Sequence, residues 1–517
     1  MSSLKNYFAF AVISFCSLCN DLKAQTENGE PHRPQIHFTP QANWMNDPNG
    51  LVFYKGTYHL FYQYYPEGTV WGPMHWGHAT SKDLVHWQHQ KIALYPDSLG
   101  YIFSGSVVVD YKNTSGFGKN GKIPLVAIFT HHDPKGEMNG KNDFQNQSIA
   151  YSLDEGKTWT KYSFNPVLKN PGIRDFRDPK VSWNEAANKW IMTLATLNCI
   201  TFYSSLDLKH WEKESEFGKE IGAHGGVWEC PDLFPLTYQG KKLWVLLVNL
   251  NPGGPNGGSA TQYFVGDFNG HQFQTFANDT RWIDYGPDEY AGITYYNTGN
   301  RKIFLGWMSN WQYATQVPTE KWRSATTIPR ELSIAKVGDK YLLASKPVDE
   351  LNKLISKDVT MHNIRASSFC LTQKTEKLKG AARLNITSAR VKDFTITFSN
   401  KLNQKLVIGF EQNKNEFFID RMQSGKLNFE KGFARKHSAP RFINASNMDI
   451  TLIIDDASVE LFADNGLTVM TAIFFPDENY SDIKIDSPGS LEIKKMNYSK
   501  FQSIYQNSKS TDKKNTR

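Results

Sequence analysis

Three carboxylates stand in short motifs of shared layout: Asp47 in Trp44-Met45-Asn46-Asp47-Pro48-Asn49-Gly50, Asp178 in Phe176-Arg177-Asp178-Pro179, and Glu229 in Trp228-Glu229-Cys230-Pro231-Asp232. Each acid is followed closely by proline and accompanied by Trp44, Arg177 or Trp228. Taken singly they are turn chemistry, because Asn, Asp, Pro and Gly are the ordinary turn residues, and a surface acid is usually a cap or a weak ion-pair partner. Together they mean more. Carboxylates crowded into one site repel, burial raises at least one pKa, and the division of roles supplies both an acid and a base or nucleophile. Two such carboxylates flanking a bond, in a cleft lined by aromatic and hydroxyl-bearing residues, fit the cleavage of a glycosidic bond.

To act together the motifs must be brought to one place, and a repeat supplies the means. Phe103-Ser104-Gly105-Ser106 and Tyr285-Gly286-Pro287-Asp288-Glu289-Tyr290 share the layout, and each of the five segments opens a strand, a polar turn and another strand. Val181-Ser182-Trp183, the turn Asn184 to Asn188 and the run Lys189 to Leu194 form one such unit. A second repeat runs in phase: Ser81 to Trp87, Ser152 to Trp159 and Ser205 to Trp211 share Ser-x-Asp, a few polar residues and a Trp, with Asp267 to Phe273 a weaker copy. One supersecondary unit recurring at blade-sized intervals is how a propeller appears in sequence. Five units predict five blades. The innermost strand of every blade borders the central channel, so the acids are expected at equivalent positions facing one spot.

This set of motifs resembles glycoside hydrolase family 32, the β-fructosidases. The tract Gly306 to Ala314, continuing through Pro318-Thr319 and Trp322-Arg323 to Ile328-Pro329-Arg330-Glu331-Leu332, is similar to the levanase and exo-inulinase branch, and Asp455 to Phe462 resembles a signature of the family's C-terminal β-sandwich. The resemblance implies an all-β chain: a five-bladed β-propeller over residues 32–345, then a β-sandwich over residues 351–498. Short alternating strands after Leu354, such as Asp393 to Phe398 and Lys405 to Phe410, agree with it. The implied activity is a retaining exo-hydrolase that takes terminal fructose from levan, inulin or sucrose, with an oligo- or polysaccharide as its partner and no cofactor or metal.

By the same resemblance Asp47 is the nucleophile, Glu229 the acid/base and Asp178 the transition-state stabiliser. Trp44, Met45, Asn46, Gln63, Trp71, Phe103, Ser104, Arg177 and Trp311 are implied as substrate-binding. Arg177 beside buried acids would keep Asp178 ionised, and Cys230 would either tune Glu229 as a polarisable neighbour or simply pack. From composition alone Trp71 and Trp311 read equally well as core residues or as sugar contacts.

The rest of the chain bounds this reading. A length of 517 residues exceeds one ordinary core. Residues 1–24 read as a signal peptide: Lys5, the apolar run Tyr7 to Leu18, a polar stretch, and cleavage favoured after Ala24. That run is too short to span a bilayer. Cys16 and Cys19 keep a lipoprotein alternative open, so the destination is the periplasm, the cell surface or the medium. Cys199, Cys230 and Cys370 then remain, an odd number without metal-knuckle spacing, and the fold must hold itself by burial. Aromatics at 14% suit a β-rich protein that binds flat apolar faces. The net charge of +7 is spread out, densest from Lys509 to Arg517 in the polar tail of residues 499–517, and no basic stripe points to nucleic acid. Gly253 to Gly258 lacks the ending of a phosphate loop, and Thr130-His131-His132-Asp133-Pro134 lacks a spaced metal partner.

Other classes fit less of the chain. A binding-only propeller would keep the aromatics and lose an acid, and five-bladed inverting hydrolases of the arabinan or xylan type lack the Trp44 to Gly50 motif. A fructosyltransferase or endo-acting fructanase built on the same site stays open, as does the oligomeric state.

Overall fold

The computed structural model describes residues 30–505. The expected signal peptide, with Cys16 and Cys19, and residues 506–517 lie outside them. Five four- or five-stranded sheets stand around a common axis as the blades of a propeller, and one ten-stranded sheet follows them in the chain. The innermost strands are Asn43–Tyr54, Tyr101–Val109, Phe176–Asn184, Val227–Tyr238 and Tyr290–Thr294.

Strand alternation explains how one blade serves two neighbours. Val107 and Ala127 of the second blade pack with Phe61 and Trp76 of the first, whereas the adjacent Val108 and Ile128 pack with Val181 and Met192 of the third. Leu246 of the fourth blade likewise faces Phe202 of the third, while Val245 and Leu247 face Phe304 and Leu332 of the fifth. Successive side chains on a strand point to opposite faces, so a nearly continuous apolar run fills both interfaces. Truncating one of these leucines to alanine costs about 2–5 kcal/mol.

The Ser-x-Asp repeat is the turn from the third to the fourth strand of a blade. Asp83, Asp154 and Asp207 each accept backbone N–H bonds from the residues that follow, as from His86 (3.0 Å), Thr158 (2.9 Å) and His210 (2.9 Å). In the fourth copy Asn269 does the same for His271 and Gln272. A short side chain that satisfies backbone donors is why these residue types recur at the turn.

The ring closes twice on the first blade. Trp322-Arg323, after the first hairpin of the fifth blade, runs parallel to Asn43-Trp44, and Tyr296 exchanges backbone bonds with Leu51 (2.9 Å) and Phe53 (3.0 Å). The ten-stranded sheet folds over a single core that includes Leu384, Ile396, Ile408, Phe417, Leu452, Leu461 and Met470. Its two layers share one strand, Asp482–Phe501, which pairs with Phe394–Ser399 near its start and with Ala382–Ser388 near its end. This strand runs to Phe501, so the first residues of the stretch that reads as a polar tail belong to the sheet.

Candidate active site

All five innermost strands carry an irregularity at the same height. Two residues of each inner strand oppose one residue of its neighbour at Asn46-Asp47, Phe103-Ser104, Asp178-Pro179, Cys230-Pro231 and Ala291-Gly292. A bulge of this kind interrupts the ladder and re-aims side chains. It also tolerates proline, which has no N–H to contribute. Asp178, Cys230 and Ala291 sit in the left-handed region (φ 63°, 41° and 53°), a conformation costing about 1–3 kcal/mol for such residues.

The bulges correct one expectation. The acids do not occupy equivalent positions: Asp47 is the second residue of its bulge, Asp178 the first of its own, and Glu229 immediately precedes one. They therefore enter from three successive positions of the repeat, and the bulges turn all three into one cavity of about 260 Å³.

Each carboxylate has its own partners. Asp47 accepts from Asn46 Nδ2 at 2.9 Å on Oδ1, and from Ser104 Oγ at 2.8 Å and Cys230 Sγ at 3.4 Å on Oδ2. Burial and the charge of Glu229 raise its pKa above the ordinary value, and these three donors pull it back. Asp178 accepts from the Cys230 backbone N–H at 3.0 Å, and its own N–H donates to Thr130 Oγ1 at 3.1 Å. Burial, then the charges of Glu229 and Asp47, push its pKa up to about 7, although Arg177 works against them. Glu229 accepts from Arg177 Nη2 at 2.9 Å and Nε at 3.2 Å on Oε1, and from the Tyr290 hydroxyl on Oε2.

Cys230 is the common neighbour. Its N–H holds Asp178, its thiol donates to Asp47, and it follows Glu229 in the chain. The thiol thus faces Asp47 rather than the acid beside it in sequence. Burial, with the nearby carboxylates, raises its pKa well above the ordinary value, which keeps it a donor.

Asn46, Gln63, Trp71, Phe103, Ser104, Arg177 and Trp311 line the cavity with the three acids. Buried Gln63 presents an Nε2 without a hydrogen-bond partner among the described residues. Trp71, 40% exposed, stands edge-on to Phe103 at the rim. Trp44 and Met45 are fully buried and are not on the wall. Trp44 stands behind it, donating from Nε1 to Asn46 Oδ1 at 2.7 Å and packing on Trp311 and Trp307.

Sequence reasoning missed several groups. Tyr290 lies in the fifth strand-head motif, which lacks an acid at this position and so attracted no role. Gln145 accepts from the Phe176 N–H (2.9 Å) and from Arg177 (3.4 Å), and Asp175 pairs with Arg177 at 2.5 Å, outside any motif. His132, set aside with a metal reading, stacks on Phe103 at 4.2 Å and lines the cavity.

Residues 37–347 match the glycosyl hydrolases family 32 N-terminal domain, and residues 348–500 match that family's C-terminal domain. The chain belongs to glycoside hydrolase family 32. The levanase of Bacillus subtilis is 44% identical over 92% of this chain and 71% of its own. The extracellular exo-inulinase of Aspergillus awamori is 40% identical over 89% and 92%, and invertase 1 of Saccharomyces cerevisiae is 37% identical over 90% and 93%. Among solved structures, an exo-inulinase of Aspergillus awamori superposes with a TM-score of 0.83 at 36% identity, covering 92% of this chain and 99% of the other. A fructofuranosidase of Schwanniomyces occidentalis complexed with fructose gives 0.83 at 35% identity, with coverages of 92% and 99%. Family 32 membership makes the protein an enzyme, a glycoside hydrolase of the β-fructosidase kind, built as a five-bladed propeller followed by a β-sandwich-like sheet.

Proposed function

We propose that this enzyme hydrolyses terminal β-D-fructosyl units of fructans and sucrose by a retaining double displacement, outside the cytoplasm. The observation that carries the mechanism is the meeting of two carboxylates, each oriented by its own donors, in one cavity. Asp47 receives only uncharged donors, on both oxygens, as suits an ionised nucleophile. Glu229 is braced by Arg177 and Tyr290.

In the first step Asp47 attacks the anomeric C2 while Glu229 gives its proton to the departing glycosidic oxygen. The C2–O bond breaks, and a fructosyl ester on Asp47 forms. In the second step Glu229 takes a proton from water, whose oxygen attacks C2, and fructose leaves Asp47. Asp178, with Oδ2 on the Cys230 N–H, binds sugar hydroxyls and steadies charge. Gln63 offers its unpartnered amide to another hydroxyl, while Trp71, Phe103 and Trp311 give flat faces to the ring.

The exo reading is supported by the likeness to exo-inulinase, and the export reading by the likeness to an extracellular enzyme together with the signal-peptide pattern of residues 1–24. Incubation with levan, inulin and sucrose in parallel, with the products resolved, tests the activity. Fructose alone is the expected product of the fructans, with its β anomer appearing first by NMR. Longer oligosaccharides would replace the exo reading with endo-cleavage or transfer, and no release from any of the three would end the proposal.

A further inference from the structure

Thr468–Ile473 ends the strand order of the ten-stranded sheet, and a propeller segment covers its edge. Tyr285 N–H donates to Val469 O at 2.8 Å and Asp288 N–H to Thr471 O at 3.2 Å. Gly286 lies so close that a Cβ there would stand 2.1 Å from the Thr471 carbonyl oxygen. Two residues after this segment Tyr290 reaches Glu229. The sandwich thus templates the chain that enters the site.

At the end of the segment is a fully buried polar triad. Asp288 accepts from Arg421 Nη1 at 2.7 Å and from the Tyr313 hydroxyl at 2.5 Å, and Arg421 Nη2 donates to that hydroxyl at 2.9 Å. Arg421 comes from the sandwich, where its guanidinium lies 3.8 Å over the Phe433 ring. Asp288 precedes Tyr290 by two residues, and Tyr313 follows the cavity-wall Trp311 by two. Asn310 joins the two arms through Nδ2 to Pro287 O at 2.6 Å. A buried ion pair contributes little more to stability than well-packed apolar side chains would, so tight folding alone does not call for this arrangement. What it defines is direction: three charge-assisted bonds fix the Tyr290 arm relative to the Trp311 arm.

We infer that Arg421 is a positioning residue for the reaction, through which the sandwich sets the spacing between Trp311 and the Tyr290–Glu229 pair. The inference rests on the reading that Glu229 and Trp311 act on the substrate. Displacement of Trp311 raises KM and displacement of Tyr290 lowers kcat, and misplacement of about 1 Å by a remote change costs up to about a hundredfold.

The test compares Tyr313→Phe, Arg421→Lys and Arg421→Met with the parent enzyme on sucrose, well below each unfolding midpoint. Arg441→Lys, in a buried ion pair with Asp464 within the sandwich, is the control. Tyr313→Phe keeps the ring and its packing, so it carries the test even if Arg421→Met does not fold. Expected are a loss of about tenfold or more in kcat/KM for Tyr313→Phe, a larger loss for Arg421→Met, partial recovery with Lys, and parental kcat and KM for the control. Folded Tyr313→Phe and Arg421→Lys with parental kcat and KM would overturn the inference, as would an equal loss in the control. Asp47→Ala and Glu229→Ala assayed alongside separate the two failures: if they stay active, the mechanism itself is wrong.

Discussion

Cys230 shows how much one residue can organise when the backbone turns the right way. At φ 41° it holds Asp178 with its amide and Asp47 with its thiol, directly after Glu229. The first prediction concerns the acids themselves. Asp47→Ala and Glu229→Ala each lower kcat by about 10²–10⁴-fold or more, with the fold retained by circular dichroism, because each carboxyl faces the cavity rather than the core. The second concerns pH. The Ser104 hydroxyl favours the ionised form of Asp47, and the reaction needs that form. Removing it in Ser104→Ala raises the Asp47 pKa further, so the acidic limb of the kcat/KM profile moves to higher pH. An unmoved limb would mean that another group controls it. At this scale the acids were legible because three carboxylates, each followed closely by proline, recur in motifs of one layout. Tyr290 was not, since a tyrosine acquires its role only from what the fold sets opposite its hydroxyl.

The strand-head bulges are the elements that convert a repeat into a site. Blade number and the Ser-x-Asp turns were legible, because both leave local signals in residue type. The stagger of the three acids was not, because a bulge is a mismatch between two strands and neither strand carries it alone. The second blade makes the dependence testable. Gly105 ends its bulge where a Cβ would stand 2.1 Å from the Ile128 carbonyl oxygen, so Gly105→Ala forces the strands apart. It is expected to cost about 1–3 kcal/mol in denaturant unfolding. It should also depress kcat/KM beyond that loss, since Ser104 moves with the strand. Stability lost with full activity in the folded fraction would show that the bulge geometry is not critical.

At the scale of the molecule the propeller and sandwich meet through buried charge. His37 donates to Asp455 at 2.7 Å and to Glu460 at 2.9 Å, and Glu460 also takes Arg330, which reaches Asp284 at 2.9 Å. The Asp455 to Phe462 motif, legible as a family signature, is thus the docking edge of the sandwich. Burial opposes charge on His37, but the two carboxylates outweigh it and raise its pKa from 6.5 to about 9. A pKa raised on folding stabilises the protein fully below 6.5, and that contribution is lost as pH rises through 9. The unfolding free energy should therefore fall across this window, and His37→Gln, less stable at pH 6, should lose that slope. A parental slope in the variant would assign the effect elsewhere.

The parallel pairing of Asn43-Trp44 with Trp322-Arg323 also makes the site depend on residues far apart in the chain. The strand bearing Asp47 pairs on one side with the next strand of its own blade and on the other with a segment that follows the first hairpin of the fifth blade. A chain cut before Trp322 would hold all three acids and lack this pairing.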